Sequence, residues 1–323
     1  MKVNKKFTIT IILCIIISIF ISFNYMKNTQ DESDIQEESI TQEELESAYE
    51  DCLNQTYSED ELTEEINTKI EELNQYVENY NVSIYFEDLD SSFTYTYNPT
   101  TVYYGCSLIK LVDALYLIEK ATEGEIDLDT ETITYTSEYK RSYSQGMATK
   151  SYGEEVSLRE LISYAIMYSD NSAHIMLIDY IGFYNLQEYG QSLGGQVILQ
   201  GCDKYGNQTA EDMNVYLKKA YEIITTNEEY GPFLKEIMDN DDNNDFNTDD
   251  IKIYHKYGSY NIYFHDVGLA LDDEHPYTIS ILTELGNSNH QEVIQNIHSM
   301  LIEIHDLLYE EKSSACQIQI YGE

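Results

Sequence analysis

Two blocks of alternating polar and apolar residues stand far apart in this chain, with a long helix-patterned stretch between them. The first is "NVSIYFEDLDSSFTYTY" (81–97), with a polar break at 88–92. The second is "IKIYHKYGSYNIYFHDVGLAL" (251–271), followed across a turn at 272–276 by "YTISILTEL" (277–285). A period of two places one strand face on a core, and a short polar break within it marks a hairpin. Helical stripes flank both blocks. Leu62, Ile66, Ile70, Leu73 and Val77 precede the first, and Val293, Ile294, Ile297, Met300, Leu301 and Ile304 follow the second. This order predicts an α+β fold. Both chain ends meet on one antiparallel sheet, flanked by N- and C-terminal helices, and an all-helical insert lies between.

The insert opens with "YYGCSLIKLVDALYLIEKA" (103–121), apolar enough for a buried helix. A polar stretch at 122–155 leads to "SLRELISYAIMYSDNSAHIML" (157–177). Ser157 and Glu160 have capping-box spacing. Leu158, Leu161, Ile162, Ala165 and Ile166 recur at core spacing, a stripe that Ser169 continues. Residues 213–225 and 228–238 read as two more helices.

A formal charge of −41 on 323 residues repels phosphate backbones and anionic lipid, so nucleic-acid partners are excluded. With 42% hydrophobic residues the chain still has a core to bury, and the acid reads as solubilising surface. Residues 7–23, "FTITIILCIIISIFISF", carry no charge and follow Lys2, Lys5 and Lys6. They predict a single-pass N-terminal signal anchor within 1–27, with the body outside the cytoplasm. No small-x-small cleavage site follows; cleavage would give a secreted form instead. Residues 28–58 read as an acidic stalk and 59–323 as the folded domain. Of five cysteines, Cys14 lies in the apolar run. Cys52, Cys106, Cys202 and Cys316 belong to the exported part, where disulfides are permitted but spacing assigns no pairing. They have no metal-ligand spacing, so neither a metal nor a cofactor is expected, and no pattern encodes an oligomeric state.

Ser107 and Lys110 lie one turn apart at the mouth of the first apolar helix. A nucleophilic serine needs a base, and lysine serves as one only where burial or a nearby cation lowers its proton affinity. The apolar helix supplies burial. A second S-x-x-K match, Ser137–Lys140 in "TSEYKRSYSQG", has no hydrophobic run behind it and is read as chance.

Ser107-Leu108-Ile109-Lys110, Ser169-Asp170-Asn171 and Lys256-Tyr257-Gly258 together resemble the S-x-x-K, S-D-N and K-T-G elements of penicillin-recognising serine enzymes, class A β-lactamases among them. The resemblance covers most of residues 60–310, with each triplet in the expected order and on the expected element. A decoy, Lys204-Tyr205-Gly206, lies in the polar loop "QGCDKYGNQTAED" and not on a strand.

The resemblance implies a β-lactamase/transpeptidase-like fold and a role for each position. Ser107 is acylated and Lys110 takes its proton, while Ser169 relays a proton to the leaving nitrogen. Asn171 holds the substrate amide, and Lys256 supplies positive potential for a substrate carboxylate. Gly258 completes the third motif, and the backbone N–H groups of Ser107 and Ser259 form the oxyanion hole. Tyr257 departs from the usual small hydroxyl residue, which changes that side of the pocket. No E-x-x-L-N pattern follows Asn171, and Asp203, Glu211 and Asp212 are the acids nearby. The implied function is acyl-enzyme formation with a carboxylate-bearing amide, either a cell-wall peptide or a β-lactam, with slow deacylation. The alternatives are a genuine β-lactamase with another deacylating acid and a non-catalytic sensor using the same pocket.

Residues 239–250, "DNDDNNDFNTDD", are spaced somewhat like a calcium loop. Asn244 stands where glycine is needed, however, and a strand follows, so a solvated connection is expected. His265 next to Asp266 reads as structural, since Lys110 already fills the base role.

Overall fold

The computed structural model describes residues 41–53, 62–91, 93–196, 204–239, 244–246, 251–271, 275–286 and 289–322. The expected anchor, much of the stalk, Asp203 and most of 239–250 lie outside these residues. Among the described residues no helix is long and apolar enough to cross a membrane. Contacts divide the chain into residues 1–46 and residues 47–323.

In chain order the elements are α1 (Gln42–Leu53), α2 (Glu64–Val77), β1 (Val82–Asp88), β2 (Thr94–Tyr97), β3 (Tyr103–Tyr104) and α3 (Ile109–Thr122). Then come β4 (Thr132–Thr134), β5 (Glu155–Ser157), α4 (Leu158–Met167), α5 (Asn171–Ile181), α6 (Phe183–Ser192) and β6 (Asn207–Gln208). The last are α7 (Ala210–Thr226), α8 (Gly231–Met238), β7 (Ile253–Tyr260), β8 (Tyr263–Ala270), β9 (Tyr277–Glu284) and α9 (His290–Tyr321). Five strands form one sheet in the order β2-β1-β9-β8-β7, antiparallel throughout. The two ends of the chain therefore share a sheet, β1 pairing with β9, as the alternation of both blocks predicts.

The sheet has a core on each face. On one, Ile84, Phe86, Ile279 and Ile281 meet Leu73 and Val77 of α2 and Ile297, Leu301 and Ile304 of α9. On the other, Tyr254, Val267, Leu269 and Leu282 meet the insert through Leu111, Leu115, Leu161, Met213 and Leu217. Full burial of a side chain of this size contributes about 1.5–3 kcal/mol relative to exposure. The central strands thus bury both faces. Helix α3, which carries Lys110, and strand β7, which carries Lys256, both contribute to this second core.

A disulfide joins Cys52 of α1 to Cys316 of α9 across a separation of 264 residues, which puts Cys52 in contact with the folded body upstream of residue 59. Cys106 is buried with a free thiol. The expected capping box at Ser157 is only half formed. Ser157 Oγ accepts from Glu160 N, but the Glu160 carboxylate turns to Lys150 (2.6 Å) and the Tyr164 hydroxyl (2.6 Å). A complete capping box closes α7 instead, between Thr209 and Asp212.

The hairpin end of β1 is tied to α9 through Asp88. Its buried carboxylate receives His305 Nε2 (2.6 Å), the Tyr309 hydroxyl (2.8 Å) and Ser91 Oγ (2.6 Å). Burial alone would push this carboxyl up, but hydrogen bonds from His305 and Ser91 outweigh it and hold the pKa at about 2. Because the folded value lies below the free one, the stabilisation is complete above the free value and is lost as pH falls through the folded one. Asp88→Asn is expected to remove about 2 kcal/mol at neutral pH and to flatten the fall of Tm between about pH 4 and pH 2. Parallel thermal-unfolding curves for the two proteins over that range would rule the linkage out.

Candidate active site

Four segments converge at the edge strand β7. The first is the turn before α3. Cys106 adopts φ +51°, a left-handed conformation unusual for a residue with a side chain, so Ser107 is set at a sharp bend ahead of the helix. Lys110 follows one turn later and is fully buried.

The second segment is the turn between α4 and α5. Helix α4 ends at Met167, and Ser169 lies beyond it at φ +51°, in the left-handed region. Its hydroxyl is aimed inward by that turn rather than by the helical stripe it was expected to continue. Asp170 caps α5, accepting from Ser172 N (2.9 Å) and Ala173 N (3.0 Å), and it also takes Met147 N (2.8 Å). The middle residue of the triplet is thus a backbone clamp. It fixes the direction of its two neighbours.

The third segment is β7. Gly258 runs so close to the nucleophile that a Cβ there would lie 3.1 Å from Ser107 N and 3.2 Å from Gly105 O. Lys256 is buried, and its Nζ donates to Ser169 Oγ (3.0 Å) and to the Tyr257 carbonyl (2.7 Å).

Lys110 Nζ is the centre of the arrangement. It lies 2.9 Å from Ser107 Oγ, 2.5 Å from the Ser169 carbonyl and 2.8 Å from Asn171 Oδ1, with Ser169 Oγ at 3.4 Å. The carbonyl and amide oxygens can only accept, so they take two N–H bonds of a neutral amine. Its lone pair is then left facing the Ser107 hydroxyl. Burial brings the pKa of Lys110 down to about 7, against the opposing pull of Asp113, Asp170 and Cys106. Lys256 is also lowered far below its ordinary value, first by burial and then by the charge of Lys110. Ser169 Oγ lies between the two amines and can pass a proton between the lysine pair and a substrate.

Asn171 is held from its other end, Nδ2 donating to the Ser142 carbonyl (3.0 Å). The Tyr257 ring lies 4.2 Å from Lys256 Nζ and stacks on His255. With Gly258 and Ser259 it lines a cavity of about 250 Å³ shared with Asp245, Phe264 and His290. Burial and the Asp266 charge push the Asp245 carboxyl up to about 7. The structure therefore brings Ser107, Lys110, Ser169, Asn171 and Lys256 into one hydrogen-bonded group, with Gly258 packed on it and Tyr257 and Ser259 at its border.

The fourth segment, residues 204–208, begins with the decoy triplet Lys204-Tyr205-Gly206, whose lysine pairs with Asp179 away from the site. Its Gly206 carbonyl accepts from Gly105 N (3.0 Å), and Asn207 and Gln208 pair with Tyr104 and Tyr103 just ahead of Ser107. The Tyr205 ring lies 5.9 Å from Lys110 Nζ. Beneath it, buried His174 and Asp113 form a pair that the sequence reading missed. Both sit one helical turn beyond a motif residue, and that spacing is the signal that could have found them. Ser137 lies on a short 3₁₀ turn with Lys140 following it, and no apolar helix runs behind the pair.

Of the acids close after Asn171 in the sequence, Glu211 and Asp212 lie away from the reactive group. Asp212 accepts from Gln196 N (2.6 Å) and closes α7, while Glu211 is exposed and lines a separate groove with Tyr85 and Lys218. His265 is structural, as expected: Nε2 donates to the Tyr104 carbonyl (2.9 Å) and Nδ1 accepts from Thr283 N (3.0 Å).

Comparison with curated protein sequences returns no match. Among solved structures, an acyl-enzyme complex of a PBP-A variant with penicillin G superposes with TM-score 0.68 at 18% identity, covering 74% of this chain and 97% of that one. A β-lactamase from Chitinophaga pinensis gives 0.66 at 18% identity, covering 73% and 98%. An ancestral class A β-lactamase gives 0.64 at 18%, covering 73% and 99%. These likenesses establish the β-lactamase/transpeptidase-like fold. The sequence model of the Beta-lactamase enzyme family matches residues 61–304, a span that contains all three motifs. The chain belongs to the β-lactamase enzyme family and is a serine hydrolase of that type.

Proposed function

We propose that the protein is an exported, membrane-tethered hydrolase that acylates Ser107 with carboxylate-bearing amides, either cell-wall peptides or β-lactams, and releases the acyl group slowly. The carrying observation is the set of oxygens around Lys110 Nζ. Two acceptor-only oxygens orient the amine, and the third contact is the serine hydroxyl. Ser107 Oγ bonds to the substrate carbonyl carbon as its proton passes to Lys110. The C–N bond then breaks, with a proton delivered to the leaving nitrogen through Ser169. Lys256, close behind, is held below its ordinary proton affinity by burial and by Lys110, and an anionic substrate group would favour its charged form. The apolar run at 7–23 and the Cys52–Cys316 disulfide both suit an oxidising compartment outside the cytoplasm.

Slow release follows from what surrounds Ser107. Hydrolysis of the ester needs a base for water, and neither Asp212, which accepts from Gln196 N, nor Glu211, in a separate groove, is placed to supply one. A fluorescent penicillin tests this directly. The adduct is expected to form within minutes and to persist for hours after excess reagent is removed. Rapid catalytic turnover of the penicillin without accumulation of adduct would sink the slow-release reading.

A further inference from the structure

The Asp113–His174 pair lies one turn below the reactive groups and has no part in the steps above. Asp113 follows Lys110 by three residues on α3, and His174 follows Asn171 by three on α5. Both side chains are fully buried. His174 Nδ1 lies 2.6 Å from Asp113 Oδ2, and Nε2 lies 3.0 Å from the Lys204 carbonyl. The carbonyl can only accept, so Nε2 carries a hydrogen. A contact of 2.6 Å between Nδ1 and a carboxylate oxygen needs a hydrogen there as well. The pair therefore holds one shared proton, and in either form, carboxylate with imidazolium or carboxyl with neutral ring, its net charge is zero.

That neutrality matters to Lys110. A lone carboxylate one turn below a buried amine would hold it protonated and unable to take the serine proton. The other groups facing Lys110 are Asp170 and Asn171 at the α4–α5 turn, Ser169, Lys256 on β7, Cys106 before α3 and the Tyr205 ring. Of the two nearby carboxylates, Asp170 already receives three backbone N–H groups. Asp113 Oδ1 has no hydrogen-bond partner among the described residues, so His174 is its counterweight. Through Nε2 the same ring also holds the backbone of 204–206 beneath the nucleophile, with Tyr205 packed 5.0 Å from it.

We propose that His174 is a positioning residue that neutralises Asp113, so that Lys110 can act as a base, and pins the 204–208 segment under Ser107. This rests on the reading of Lys110 as the base, but its test needs no substrate. Lys110 is followed by NMR in protein labelled with ¹³C-lysine, its Cε resonance identified by its absence from Lys110→Arg. In His174→Gln, which keeps a donor for Lys204 but leaves Asp113 unpaired, the Lys110 titration should move up by about one pH unit or more. Asp113→Asn/His174→Gln should bring it back. A titration unmoved in His174→Gln, or still raised in the double variant, would overturn the proposal, and a purely structural role predicts that unmoved titration. Should His174→Gln fail to fold, ¹⁵N-histidine spectra of the unaltered protein decide. Protonated Nε2 with a proton shared between Nδ1 and the Asp113 carboxyl, on either atom, supports the pair, and an Nδ1 that shares no proton overturns it. A failed acylation assay beside these titrations would count against the proposed function alone.

Discussion

Lys110→Met is expected to slow acylation of Ser107 by about 10²–10⁴-fold while leaving the fold intact, since methionine fills similar apolar volume. The lysine nitrogen is the atom in line with the serine hydroxyl, and the same amine explains a pH dependence. Only the neutral form can accept a proton, and burial sets the pKa at about 7. Acylation should therefore rise with pH through about 7 and level off above it, and Lys110→Met should abolish that limb. The measurement is the second-order rate of labelling by a fluorescent penicillin from about pH 5 to about pH 9, a window that brackets the base. Labelling at the unaltered rate by Lys110→Met, or a flat profile in the unaltered protein, would remove lysine from the base role.

Asp170→Ala is expected to cost about 2–5 kcal/mol of stability, a large effect for one side chain. The buried carboxylate accepts from the backbone N–H groups of Met147, Ser172 and Ala173, and truncation leaves all three without their acceptor. The turn that holds Ser169 at φ +51° loses its clamp at the same time. Acylation should fall together with the urea midpoint, unlike the Lys110→Met effect, which is confined to rate. A stability loss of less than about 1 kcal/mol would mean that water or neighbouring groups replace the carboxylate.

Much of the fold was legible in the sequence because it rests on periodicity. The alternation of 81–97 and 251–285 marks the strands and one buried face, which the stripes at 62–77 and 293–304 cover, whereas burial of the other face comes from packing of the insert. The three motif triplets were legible because spacing along one helix or strand is local. What escaped depends on backbone turns and on contacts between distant segments. Ser169 reaches inward through a left-handed turn, which no hydrophobic stripe encodes. Lys204 pairs with Asp179 and is not the motif lysine, as expected, but the pairing of Asn207 and Gln208 with β3 beside Ser107 joins segments far apart in the chain. Glu160 had the spacing of a capping box, but Lys150 offered its carboxylate a stronger partner. Asp113 and His174 were invisible because each alone is an ordinary polar residue in a helix. Only the packing of α3 on α5 makes them a pair, and the same holds for Cys52 and Cys316.

The most direct test of a single acyl-transfer site is peptide mapping by mass spectrometry after brief reaction with penicillin and, separately, with an acyl-D-alanyl thioester. The expected result is one acyl group per chain, carried on Ser107 and missing from Ser107→Ala. Acyl groups found on another residue, equal labelling of Ser107→Ala, or no labelling of Ser107 by either reagent would contradict it.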